Sequence, residues 1–227
     1  MSIDAARIRA AVTELLAAIG EDPTRPGLLD TPDRVADSYA ELFSGVGVDP
    51  LTHLADTELL PVTELRPATE LRPATELRPA TELRTDARHR EGELVIVKGI
   101  DFRSMCEHHL LPFLGVAHVA YLPRERVVGL GKLPAVVETL AARPQLQERL
   151  TEQVADAIET GLDALGVLVV LEATHGCVTA RGARQTRSTT VTLASRGALA
   201  DPVERAEVMA LIGVANADPG QDGGHHG

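Results

Sequence analysis

The sequence predicts an α+β fold in which two strands, two helices and two further strands follow one another behind an N-terminal helical segment. Two observations predict it. Runs rich in β-branched residues come in two separated pairs, "GELVIVKGIDFRSM" with "LGVAHVAYLP" and "GVLVVLEATHGCV" with "STTVTLASRG". Between the pairs, residues 132–166 carry apolar side chains at steps of three and four. Such an order favours antiparallel hairpins in a four-stranded sheet, with both helices on one face.

The N-terminal segment, residues 1–50, reads as two helices. Ile8, Val12, Leu15, Leu16 and Ile19 form one helical stripe that Gly20 ends. In "DTPDRVADSYAELFSG", Thr31 suits an N-cap and Pro32 the first helical position; Val35, Tyr39, Leu42 and Phe43 follow at helical spacing. Residues 51–92 read as a linker. "TELRPA" stands at 63–68, 69–74 and 75–80, with "TELR" at 81–84 and the degenerate "TELLPV" at 57–62. A proline every six residues forbids a continuous helix, and the period is too short for a helical solenoid. The folded unit is expected over 93–214. Within it Pro144 breaks the first helix and opens the second, whose Leu146, Leu150, Val154, Ile158, Leu162 and Leu165 step by three or four. A closing helix starts at Pro202 with Asp201 as its cap, and 215–227 reads as a disordered tail.

Composition narrows the function classes. Hydrophobic residues make up 44% of the 227 positions, a globular content. Only 2% are aromatic, with no Trp, so Leu, Val, Ile and Ala must build the core. A formal charge of −11 argues against nucleic acid as a partner, which needs a basic face. An anionic small molecule is still admitted, because a few basic residues can focus a field within a cleft. "MSIDAARIRAAV" lacks the basic and apolar regions of a secretory signal, and no apolar run approaches a membrane span. The expected location is the cytoplasm, with no membrane partner and with both cysteines reduced.

The chemistry concentrates in "SMCEHHLLPF", residues 104–113, where Cys106 stands beside Glu107, His108 and His109. The other cysteine, Cys177, follows His175 by two positions in "EATHGCV". Both lie at or just beyond strand ends, where a fold can bring distant side chains together. Zinc accepts thiolate sulfur and imidazole nitrogen, and three protein ligands leave a fourth position for water. Cys106, Cys177 and one of His108 or His109 make such an open site; His175 as a fourth ligand would close it. Spacing does not choose between the two. Nor does it exclude an ordinary buried thiol at Cys177 and a hydrogen-bonded turn residue at His175.

The motifs "CEHHLLPFLG", "VAYLP", "GLGKL", "ARPQLQERLT" and "THGCVTARGARQ", in this order, resemble the GTP cyclohydrolase I family, and "EDPTRPGLLDTPDRVADSYAELFSG" resembles its N-terminal helical segment. The resemblance covers residues 21–45 and 93–200. It implies the tunnelling fold, closed into an oligomeric barrel, typically a decamer of two pentamers. It implies zinc on Cys106, His109 and Cys177, with His108 and His175 as an acid–base pair. Gln147 and Glu148 would hold the guanine edge of GTP. Lys132, Arg181 and, from a neighbouring subunit, Arg34 would meet its triphosphate. The implied reaction opens the imidazole ring of GTP by hydrolysis, releases formate and yields 7,8-dihydroneopterin triphosphate. Zinc lowers the pKa of a bound water toward about 7, and imidazoles exchange protons near that pH.

Two positions depart from the family pattern. Gly131 stands where a serine usually precedes the lysine of "GLGKL", and Ala135 stands where an arginine usually follows it. A missing guanidinium should weaken triphosphate binding, since charge-assisted hydrogen bonds contribute roughly 1.5–3 kcal/mol each. Three other readings compete: a specialised paralogue with altered substrate or product, a non-catalytic zinc-stabilised scaffold, and a nitrile reductase of the same fold. Adjacent His108 and His109 together with Cys177 speak against the last.

Overall fold

The computed structural model describes residues 3–59 and 94–214. The "TELRPA" repeats and the C-terminal tail lie outside the described residues.

Helix α1 (Ala5–Ala18) is capped by Asp4, whose side chain accepts from Arg7 N at 3.0 Å. Helix α2 (Thr31–Leu42) opens one residue earlier than its sequence suggests: Asp30 occupies the cap position, and Thr31 is already helical. These two helices pack on each other, with Ile8, Val12 and Leu16 half-buried, but Leu15 and Ile19 stay exposed. The apolar stripe of α1 is therefore only half covered within one chain.

The expected linker contains packed structure up to Leu59. Residues Pro50–Leu54 form a 3₁₀ turn that buries Leu54, and strand β1 (Thr57–Leu59) pairs with β4 (Arg126–Val128). His53 Nε2 lies 2.8 Å from Thr139 Oγ1, and Arg143 donates to Gly45 O and Val48 O at 2.8 and 2.6 Å. These contacts anchor the segment to the body. Leu54 fills a notch at Gly161, where an added Cβ would come within 2.4 Å of its Cδ1.

The body is β2 (Val95–Cys106), β3 (Pro112–Leu122), α3 (Lys132–Ala141), β5 (Pro144–Gln145), α4 (Gln147–Leu162), β6 (Gly166–His175), a single turn α5 (Gly176–Thr179), β7 (Thr190–Gly197) and α6 (Pro202–Val214). The sheet order is β5-β2-β3-β6-β7. Its four long strands are antiparallel as expected. The sheet nevertheless has five strands, because Pro144 and Gln145 pair in parallel with Met105 and Cys106. Pro144 thus ends neither helix directly; it sits in this two-residue strand, and α4 begins at Gln147.

Alternation along the strands divides the core. Val119, Val167, Val169 and Leu171 face α3 and α4, where Leu133, Val137, Leu150, Val154 and Ile158 are fully buried. Ala120, Leu168 and Val170 face the other way and are covered at one end by Val208 and Ile212 of α6. Asp201 caps α6 as expected, accepting from Val203 N and Glu204 N at 2.8 and 3.2 Å.

Candidate metal centre and active site

Strand register brings the two cysteine motifs together. Cys106 ends β2, and β3 starts six residues later at Pro112, with Met105 opposite Pro112 and Phe113 opposite His175. The first residues of β3 are thus flanked by Cys106 on one side and by His175–Cys177 on the other. The connection 107–111 is a tight turn. Cys106 O accepts from Leu110 N at 2.8 Å, Cys106 N donates to Leu111 O at 2.9 Å, and Leu110 takes φ of 50°. Gly176 is required by proximity, since a Cβ there would meet Pro112 O at 2.7 Å.

The ligand atoms of Cys106, His109 and Cys177 all lie within 4.8 Å of one another. Neither cysteine is in a disulfide. Cys106 Sγ stands 3.7 Å from His109 Nδ1. Tetrahedral coordination with ordinary zinc–sulfur and zinc–nitrogen lengths puts such atoms about 3.6 Å apart, so this donor set fits zinc. Burial, and next the neighbouring Cys106, push the Cys177 thiol up, while the Arg181 charge pulls it down. A cation between the two sulfurs reverses that balance, because coordination favours the thiolate.

The adjacent histidines have different surroundings. His109 faces Cys106, whereas His108 has 63% of its side chain exposed, lies 3.9 Å from Glu107 Oε1 and is nearly perpendicular to the His109 ring. Only one histidine of the pair therefore belongs to the metal group. His175 stands outside it too. Its ring stacks on Phe113 with centroids 4.7 Å apart and planes 7° from parallel, and its Nε2 lies 2.7 Å from Gln147 Oε1. Burial lowers its pKa below the ordinary imidazole value, and the Glu148 charge partly offsets this.

Gln147, expected to hold a substrate edge, is only 1% exposed. Its Nε2 shares two protons among Leu171 O, Thr190 O and Thr192 Oγ1 at 3.1, 2.9 and 3.1 Å. Both ends of the amide are thus engaged inside the protein. Glu148, its neighbour in the first turn of α4, is exposed. Lys132 is half-buried at the start of α3, and Arg181 is exposed in the loop after α5. Arg34 is exposed on α2, paired with Asp30 at 3.1 Å.

Two features of the site were missed in the sequence. Phe113 supplies the stacking face for His175. Arg149 forms a two-pronged ion pair with Glu107, tying the 107–111 turn to α4 and holding the Glu107 carboxyl below its ordinary range. Glu107 was visible in the motif, but an acid and a base 42 positions apart give no local signal.

Several relatives share most of the chain. A protein of Leifsonia xyli subsp. xyli named GTP cyclohydrolase 1 is 56% identical over 94% of this chain and 98% of its own length. Proteins of the same name from Rhodopirellula baltica and Caldanaerobacter subterraneus subsp. tengcongensis are 50% and 47% identical, each over 92% of this chain, covering 80% and 97% of their own. The GTP cyclohydrolase I family profile matches residues 8–213. With the converged Cys106, His109 and Cys177 and the mixed α+β architecture compatible with a tunnelling fold, this match shows that the chain belongs to the GTP cyclohydrolase I family.

Proposed function

We propose that the protein opens the imidazole ring of GTP by zinc-dependent hydrolysis, releasing formate and forming 7,8-dihydroneopterin triphosphate. The observation that carries this reading is the Cys106–His109–Cys177 group with His175 beside it and outside it, in a chain of this family. Cys106, His109 and Cys177 would hold zinc. When bound, the metal acidifies a water and so makes a nucleophile available near neutral pH.

The chain's own residues do the rest. Glu148, exposed at the start of α4, accepts from the N–H donors of the pyrimidine edge. Lys132 and Arg181 pair with triphosphate oxygens. His175, protonated on both ring nitrogens, gives the proton not held by Gln147 to N7 as water adds at C8, which makes the purine carbon a better electrophile and leaves the ring neutral. His108, on the more exposed flank of the turn, exchanges protons as the ribose opens and rearranges. Imidazoles suit both tasks because their pKa lies near the operating pH.

We also propose that the chain assembles into a closed ring, a decamer of two pentamers. Supporting this, Leu15 and Ile19 stay exposed on α1, and Val191 and Leu193 are exposed on β7, the unpaired edge of the sheet. Ring closure covers such edges. Arg34 would then reach the triphosphate of a neighbouring subunit. No helix among the described residues is long and apolar enough to cross a membrane.

The test is incubation of the zinc-loaded protein with GTP, following formate and the fluorescence of the oxidised pterin. Stoichiometric formation of both is expected. Formate without dihydroneopterin triphosphate would instead establish the paralogue that stops after ring opening, and neither product would establish the scaffold.

A further inference from the structure

Gln147 is buried, and its environment leaves one orientation for the amide. Around its Nε2 stand Leu171 O, Thr190 O and Thr192 Oγ1, all within 3.1 Å. The two carbonyls are acceptors only. Turning the amide over would set its oxygen against both of them, so Oε1 must face His175. The hydroxyls agree with this direction. Thr151 Oγ1 donates to Gln147 O at 2.7 Å, which spends its only proton. Thr192 Oγ1, 2.6 Å from Thr151 Oγ1, must therefore donate there and is left to accept from Gln147 Nε2. Nε2 has two protons for these three acceptors, and the two carbonyls alone suffice to fix the orientation of the amide.

The consequence falls on His175. An oxygen 2.7 Å from Nε2 requires a proton on that nitrogen. The neutral ring is then the Nε2–H tautomer, and the lone pair is on Nδ1, which has no hydrogen-bond partner among the described residues. Stacking on Phe113 fixes the ring plane, and the Gln147 bond fixes rotation within that plane. We propose that Gln147 is a positioning residue that holds His175 as the Nε2–H tautomer, so that Nδ1 is the atom through which His175 exchanges its proton with substrate. The role rests on reading His175 as the acid–base group of the proposed reaction. It replaces a direct contact of Gln147 with guanine, for which the buried and fully bonded amide has no group to spare.

Nitrogen NMR on the zinc-loaded protein reads the tautomer directly. At a pH where the ring is neutral, long-range proton–nitrogen correlations of His175 should show a protonated Nε2 and an unprotonated Nδ1. The opposite pattern in the unmodified protein overturns the proposal. Gln147→Met keeps the length of the side chain and removes the bond; it should give a mixture of tautomers. Its kcat should fall roughly 10–100-fold, as for loss of other outer-shell partners, with zinc content and KM for GTP little changed. A raised KM at unchanged kcat would mean that Gln147 binds guanine, and would also overturn it. Thr192→Val, which deletes one amide partner at a half-buried position, should loosen the same tautomer preference more mildly if Gln147→Met does not fold. If the tautomer is as stated but His175→Ala keeps full turnover, the acid–base reading of His175 falls and the tautomer assignment stands.

Discussion

At the residue scale, adjacent side chains in one motif are separated by what they touch. His109 Nδ1 lies against Cys106 Sγ, whereas His108 stays in solvent near Glu107. Alanine at His109 should therefore empty the metal site, as should Cys106→Ser and Cys177→Ser. Alanine at His108 or His175 should leave zinc in place and slow turnover by about 10²–10⁴-fold, the usual contribution of a general acid–base group. Elemental analysis beside steady-state kinetics separates the two outcomes. Loss of zinc from His175→Ala would make His175 a fourth ligand and close the site. Gly131 permits a gain instead of a loss. It caps α3 with helical φ of −67°, makes no side-chain cap bond, and has nothing within 4 Å of an added Cβ. Gly131→Ser should restore a hydroxyl beside Lys132 without strain. One hydrogen bond contributes about 0.5–1.5 kcal/mol, so KM for GTP should fall by roughly 2–10-fold, measured against an unchanged zinc content.

At the element scale, the bulge in β2 makes stability depend on pH. The β2–β3 register shifts between Val97 and Ile100, Gly99 takes φ of +73°, and its N–H donates to Nδ1 of the buried His118 at 3.3 Å. A nitrogen that accepts must be unprotonated. Burial first, and then Lys98, depress the His118 pKa below its ordinary 6.5, with Glu172 opposing. Between the depressed value and 6.5 the unfolded chain binds a proton that the folded chain does not, so stability rises with pH across that window and falls on acidification. Melting temperature should drop from about pH 7.5 to about pH 5.5, and His118→Gln should flatten part of the drop. His175, also depressed, contributes the same sign and remains in the variant. An equal slope in both proteins would remove His118 as a source. Elements of this kind were partly legible in the sequence. The four long strands and α4 announce themselves by β-branched runs and by an apolar step of three and four. The pair Pro144–Gln145 does not, because two residues carry no period and their pairing depends on β2 across the fold. The packing of Leu54 was hidden for a similar reason: it fills a notch made by Gly161, far along the chain. At the site, the residues that could hold a metal ion were readable as residue types at strand ends, whereas the resemblance implied a guanine contact for Gln147, whose amide is buried. Only the positions of Leu171, Thr190 and Thr192 show that its partners are internal.

At the scale of the whole molecule, one chain leaves its N-terminal hairpin half covered. Neither α1 nor α2 contributes more than Ala36 to the buried interior, and α2 reaches the sheet through the Arg103–Glu41 ion pair. Arg34 sits on this hairpin with 75% of its side chain exposed and only Asp30 as a partner, an exposed pair of the kind that contributes little to stability. A guanidinium so placed is available to a neighbouring subunit, where a triphosphate would give it a stronger, forked partner. Complementation between inactive subunits tests this. Arg34→Ala retains its own His175, and His175→Ala retains its own Arg34. If Arg34 serves its own chain's site, mixing the two variants through dissociation and reassembly restores nothing, because every site lacks one group. If it serves the next subunit around a ring, a chain with intact His175 beside a chain with intact Arg34 makes a complete site. Random mixing at equal amounts then produces roughly a quarter of such sites, and activity should return to about that fraction of the unmodified protein. Light scattering on the same samples should show one assembly larger than a monomer throughout. A monomer that turns over GTP, or mixtures that remain as slow as their components, would place Arg34 outside any neighbour's site.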